Sequence, residues 1–269
     1  MTLTIGDVFF SLPTWALTVL IFGVVVVACV LGGVLSQVHV GRSERLREPL
    51  GIVQGAILGV VGLMLAFGLT LAIDRYENRR AAVVDDANTI GTTYLLAQTL
   101  REPERTQSLR QLRAYATLAL RLSDEIPSSG AMNATSEAQR EVQRALWRLA
   151  GRALARAPQD TAPRLYVESL NRLIDERTTR ISALENRIPS DVLALELIGA
   201  AIALALLTLY LELLGRGRIP IGLAAALVGA LLFVTFDLDR PHRGLIRVPA
   251  GPLVVLQHEL AQPPAAAGP

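Results

Sequence analysis

Residues 51 to 73 of this chain carry no charge, and Gln54 is the only strongly polar side chain among them. A helix rising about 1.5 Å per residue reaches roughly 35 Å over that run, enough to cross a hydrocarbon core of about 30 Å. From Asp74 the sequence turns charged, with no Gly or Pro before Gly91. A membrane helix is therefore expected to run on directly as a helix in water.

The run has two faces when wound at about 100° per residue. Gly51, Gly55, Gly59, Gly62 and Ala66 fall in one sector, and Val53, Ile57, Val60, Met64 and Leu71 lie opposite. The repeated small-xxx-small spacing of Gly51, Gly55 and Gly59 lets a neighbouring backbone approach closely in lipid. Helix packing is the simpler use of these glycines, and flexing or lining a pore is the other.

Three further runs resemble spans: Trp15 to Leu35, Val192 to Leu214 and Ile219 to Phe236, the last two joined by the tight turn Gly215-Arg216-Gly217-Arg218. The first is not read as a signal peptide, because the 14 residues before it hold no basic side chain. Hydrophobic residues make up 51% of the chain, as in membrane proteins. A polar loop, Ser36 to Pro49, separates the first two spans and carries Arg42, Arg45 and Arg47.

The stretch from Asp74 to Pro189 shows almost no strand pattern. Its punctuation places helices up to about Leu100, from Pro103 to about Ile126 before Pro127-Ser128-Ser129-Gly130, from after Ser136 to Ala157, and from Pro163 to before Ile188-Pro189. Leu109, Leu112, Ala116 and Leu120, and likewise Leu170, Leu173, Ile174, Ile181 and Leu184, form stripes that can bury against one another. The arginine-rich faces, including Arg105, Arg113, Arg140, Arg144, Arg148 and Arg152, are read as solvated, and so is Asp85-Asp86 beside Asn88.

The expected fold is all-α: a four-transmembrane-helix integral membrane protein with a soluble helical bundle inserted between the second and third spans. The expected parts are residues 1–73, the insert 74–190, the last two spans with a charged segment 191–248, and a C-terminal tail 249–269. Four spans put the insert and both termini on one side. Basic residues near the span ends favour that side as the cytoplasmic one of a plasma membrane.

Several function classes are disfavoured. A net charge of +2 gives no footprint for nucleic acid. The single Cys29 and the scattered His39, His242 and His258 fit no disulfide or metal-ligand spacing. There is no Gly-rich phosphate loop and no nucleophile elbow, so neither an enzyme nor a cofactor is expected. Two acids lie in the third span. Glu212, four residues before Arg216, is explained by an ion pair at the helix end. Glu196 lies about one turn inside the apolar run, where an ionisable group needs a polar partner or water and is a candidate functional residue.

Two segments carry a family resemblance. Arg75-Tyr76-Glu77-Asn78-Arg79-Arg80, running on through Asp85-Asp86-Ala87-Asn88 to Tyr94, resembles the signature after the second span of a bacterial bestrophin-like membrane-protein family of largely unassigned function. Asp237-Leu238-Asp239-Arg240-Pro241, with Gly244 and Val248, resembles that family's second signature, after its last span. The family is distantly similar to bestrophins, which are pentameric anion channels with a similar order of spans. By that resemblance this chain is expected to form a homo-oligomer in the bilayer and to conduct anions. If the copies meet around the second span, its two-faced wheel puts the bulky Ile57, Val60, Met64 and Phe67 at the pore constriction. The charged clusters Arg75, Glu77, Arg79, Asn88 and Asp237, Asp239, Arg240 fall on one side of the membrane. They either clamp the second span to the fourth or concentrate anions at a pore entrance. The rival reading is a non-conducting scaffold or sensor whose helical insert binds a partner or ligand.

Overall fold

The computed structural model describes residues 13–39, 43–123, 125, 130–215, 218–240 and 244–264. Among them are α1 (Thr14–His39), α2 (Ser43–Ala97), α3 (Glu104–Leu122), α4 (Gly130–Arg156), α5 (Thr161–Glu185), α6 (Ser190–Leu213), α7 (Arg218–Leu238) and α8 (Gly251–Ala261), with no strand. The all-α expectation holds. Four stretches, carried by α1, α2, α6 and α7, are long and apolar enough to cross a membrane.

The chain divides into two compact units. The membrane unit comprises residues up to Asp74 together with Arg187–Ile246. In it α1 packs chiefly on α6 and also on α7, and α6 on α7. Lipid tails are as apolar as leucine, so these helices adhere by close approach. A Cβ on Gly32 would overlap the Ala205 carbonyl oxygen, and one on Gly229 would stand 2.9 Å from the Phe22 ring. Val25, Ala28 and Leu204 are buried at this contact. Gly215 closes α6 with a φ of 65°, a left-handed conformation natural to glycine at a helix end.

The helical unit comprises Arg75–Asn186 and the residues after Ile246. Its core gathers Val83, Ile90 and Tyr94 of α2 with Leu112 and Tyr115 of α3, Leu146 of α4 and Leu170 of α5. Leu253, Leu256 and Leu260 of α8 join the same core.

Three expectations differ from the structure. Most of the loop placed at Ser36–Pro49 is helical, since α1 runs to His39 and α2 starts at Ser43 with Pro49 inside it. The third helix of the insert begins at Gly130 rather than after Ser136, because Met132 packs with Leu122 and Leu184 in a small core of its own. Residues 251–261, assigned by sequence to a tail, form α8: leucines spaced i, i+3, i+7 give that short helix an apolar stripe to bury. Arg42, the Pro127-Ser128-Ser129 break, Arg216-Gly217, Pro241-His242-Arg243 and residues 265–269 lie outside the described residues, as do the side chains of His39, Arg45 and Arg47.

Candidate functional site

Three sectors, not two, run along the apolar part of α2. Val61, Leu65, Gly68 and Ala72, spaced 4, 3 and 4, are buried against the rest of the membrane unit. On one flank, Gly55, Gly59 and Gly62 are exposed, and a Cβ on any of them would meet nothing within 4 Å. Only Gly51 of the glycine series approaches a neighbour, the ring of Tyr210. On the other flank the four expected lining residues separate. Val60 and Phe67 are 64% and 63% exposed, while Ile57 and Met64 are half-buried, with the Met64 methyl turned toward Gly199. Within one chain, then, α2 leaves both the glycine flank and the Val60/Phe67 flank uncovered.

On the packed side, Glu196 of α6 lies against Gly68. It is 1% exposed, and a Cβ at position 68 would overlap its carboxylate. Its Oε2 has no hydrogen-bond partner among the described residues.

The first charged cluster scatters along the helical-unit end of α2. Arg79 is 1% exposed; its Nε donates to the Ala183 carbonyl at 3.2 Å and its Nη2 to that of Asn186 at 2.8 Å. These carbonyls end α5, where the helix itself offers no donors, so Arg79 caps α5. Glu77 is exposed and pairs with Arg80 at 3.4 Å. Arg75 is half-buried. Asn88 is exposed beside a shallow groove of about 280 Å³ shared with Thr92, Leu165, Glu168 and Arg172.

The second cluster is a backbone fastening in the membrane unit. Asp237, fully buried, accepts hydrogen bonds from the main-chain N–H groups of Leu245 and Ile246, both at 2.9 Å. Asp239 accepts the N–H of Ile188 at 3.0 Å, just before α6, and Arg240 is buried next to it. Gly244 lies so close to Asp237 that a Cβ on it would stand 2.7 Å from the Asp237 carbonyl oxygen. Any side chain at position 244 would force that backbone contact to open.

The sequence reading missed one pair. A solvated face is expected at Asp85-Asp86, and Asp85 is exposed. Asp86 instead turns inward and accepts a 2.6 Å ion pair from Arg180, the two side chains being 1% and 3% exposed. Arg180 also donates to the Ala119 carbonyl and the Ser123 hydroxyl at the end of α3. Further along, the Thr93 and Ser169 hydroxyls meet at 2.6 Å, and Tyr94 accepts from Arg113, whose guanidinium stacks 5.7 Å from the ring centre. Beside the ion pair, burial pushes the Tyr115 phenol well above its ordinary range, so it stays a neutral hydroxyl. The missed signal was helical phase: Arg79, Val83, Asp86, Ile90, Thr93 and Ala97 repeat at spacings of 4 and 3, putting Asp86 and not Asp85 on the inner face.

A four-span membrane protein that carries a helical unit on a prolonged second membrane helix is the class this fold defines. The bestrophin-like domain is recognised over residues 22–253. The chain belongs to the bestrophin-like family. Its fold is similar to crystal structures of a bacterial bestrophin homologue from Klebsiella pneumoniae. One variant aligns with a TM-score of 0.67 at 11% identity over 88% of this chain and 95% of that one. Another aligns with a TM-score of 0.65 at 12% identity over 93% of this chain and 99% of that one. At such identities the likeness is one of fold. No curated protein matches the sequence.

Proposed function

We propose that this membrane protein assembles as a ring of copies, five by resemblance to bestrophins, in which the α2 helices surround a shared path for anions. One observation carries the reading: the membrane length of α2 is covered on a single side only, by the Val61, Leu65, Gly68 and Ala72 stripe. A helix about a central axis needs one face for its own subunit and others for the axis and the next copy. The glycine flank suits close approach of a second helix. Val60 and Phe67 supply the constriction, since they are exposed, while Ile57 and Met64 buttress the wall from within. An apolar constriction gates by dewetting and involves no catalytic group, so this reading calls for no enzymatic step. The helical unit and both termini are cytoplasmic in this reading, which follows the basic residues near the span ends.

The test is halide efflux from liposomes containing the full chain. Efflux that is faster in Phe67→Ala than in the natural chain supports the pore. No efflux above empty liposomes, in either protein, favours the rival: a non-conducting scaffold or sensor whose helical unit binds a partner or ligand.

A further inference from the structure

The proposed path for anions makes no use of Glu196, a buried acid in the membrane unit. It lies six residues into α6, about 9 Å along the axis from Ser190, and faces Gly68, itself about 8 Å before the apolar part of α2 ends. It is buried, and Oε2 has no partner among the described residues.

Among the described residues, the membrane-spanning lengths of the neighbouring helices offer it no basic group. α1 carries no charge from Thr14 to Gln37, α2 none from Gly51 to Ile73, and α7 none from Ile219 to Phe236. On its own helix the ionisable groups are acids, Asp191 and Glu212; past the ends of the apolar runs stand Asp74 and Arg75 on α2, Arg187 before α6, and Asp237, Asp239 and Arg240 after α7, with Asp237 already engaged by two main-chain N–H groups. An ionised carboxylate is strongly disfavoured in such a place without a partner or water. A neutral carboxyl is tolerated, and the bare backbone of Gly68 is what makes room for it.

We propose that Glu196 is a proton-binding site within the membrane whose occupancy is linked to the contact between α6 and α2 at Gly68. While that contact is closed the carboxyl keeps its proton. Release breaks only the carboxyl O–H bond: the proton passes to a water admitted as the helices part, leaving a hydrated carboxylate. Because binding linkage is reciprocal, the proton in turn favours the closed contact. The inference concerns a ligand, H⁺, and needs no conduction, so it stands or falls apart from the pore.

The test uses the full chain in nanodiscs, with infrared spectra and hydrogen exchange recorded as pH is raised. The natural chain is expected to show a C=O band of an unhydrated protonated carboxyl that Glu196→Gln lacks. That band is expected to fade over the same pH range in which exchange in residues 61–72, corrected for intrinsic rate, increases at least several-fold. In Glu196→Gln the exchange stays flat. Identical carboxyl regions in the two proteins at every pH, or a fading band with no change in exchange, would overturn the proposal. Should Glu196→Gln fail to assemble, Glu196→Asp decides: withdrawing the carboxyl from Gly68 is expected to shift the band, and an unshifted band contradicts the site.

Discussion

The two ends of α2 are one helix in two solvents, and they bury opposite kinds of surface. In the membrane unit the inner stripe is Val61, Leu65, Gly68 and Ala72, small or aliphatic throughout. In the helical unit the corresponding stripe reads Arg79, Val83, Asp86, Ile90, Thr93 and Ala97, with three polar side chains each holding a named partner. In water, apolar burial drives the bundle together, and buried polar groups then fix which helix meets which. In lipid no such drive exists, so close approach at Gly32, Gly68 and Gly229 takes its place. The membrane end therefore has little to specify a partner within the chain and leaves two flanks open, while the helical end is closed on itself.

The sharpest way to break this contrast is at its polar end. Arg180→Met leaves the Asp86 carboxylate buried without its partner and is expected to destabilise the helical unit by about 3–5 kcal/mol. The double change Asp86→Leu with Arg180→Met is expected to recover most of that loss. Thermal unfolding of the purified particles followed by circular dichroism reads both, and a harmless single change would show that the pair is not holding the bundle.

At the membrane end the equivalent injury is steric. Gly229→Leu drives a side chain into the Phe22 ring and is expected to cost about 1–3 kcal/mol, seen as a lower unfolding midpoint in nanodiscs. The same substitution at Gly59, which meets nothing in its own chain, is expected to leave a single chain's fold intact and to act on assembly alone. A loss of comparable size comes from Asp237→Ala, which strands the N–H groups of Leu245 and Ile246 and costs about 1–3 kcal/mol. Asp237→Asn, which keeps one acceptor, is expected to lose less under the same denaturation. The smallest effect on stability belongs to Phe67→Ala, within about 0.5 kcal/mol because the side chain is exposed, although halide efflux is expected to change.

The spans were legible because an uncharged run of membrane length admits few other readings, and the bundle helices because Pro and Gly punctuate them. Asp86 was hidden by its neighbour. Two adjacent acids look alike on paper, and the partner, Arg180, stands 94 positions away. Helix α8 was overlooked for its shortness, although Leu253, Leu256 and Leu260 already carried the right spacing. The charged signatures were readable as important but not as fastenings. Arg79, Asp237 and Asp239 spend hydrogen bonds on main-chain groups, and nothing in a sequence marks which carbonyl or N–H will end a helix nearby. The separation of Val60 and Phe67 from Ile57 and Met64 needed the position of α6, because a helical wheel of α2 alone cannot say which flank its own chain covers.

That the open flanks of α2 belong to other copies of the chain is tested most directly by weighing the intact particle in nanodiscs or detergent. A ring predicts a mass near five times the 29.0 kDa chain, after subtracting lipid or detergent, or another ring-sized multiple. A monomer or dimer would leave no axis for Val60 and Phe67 to surround and would contradict the account.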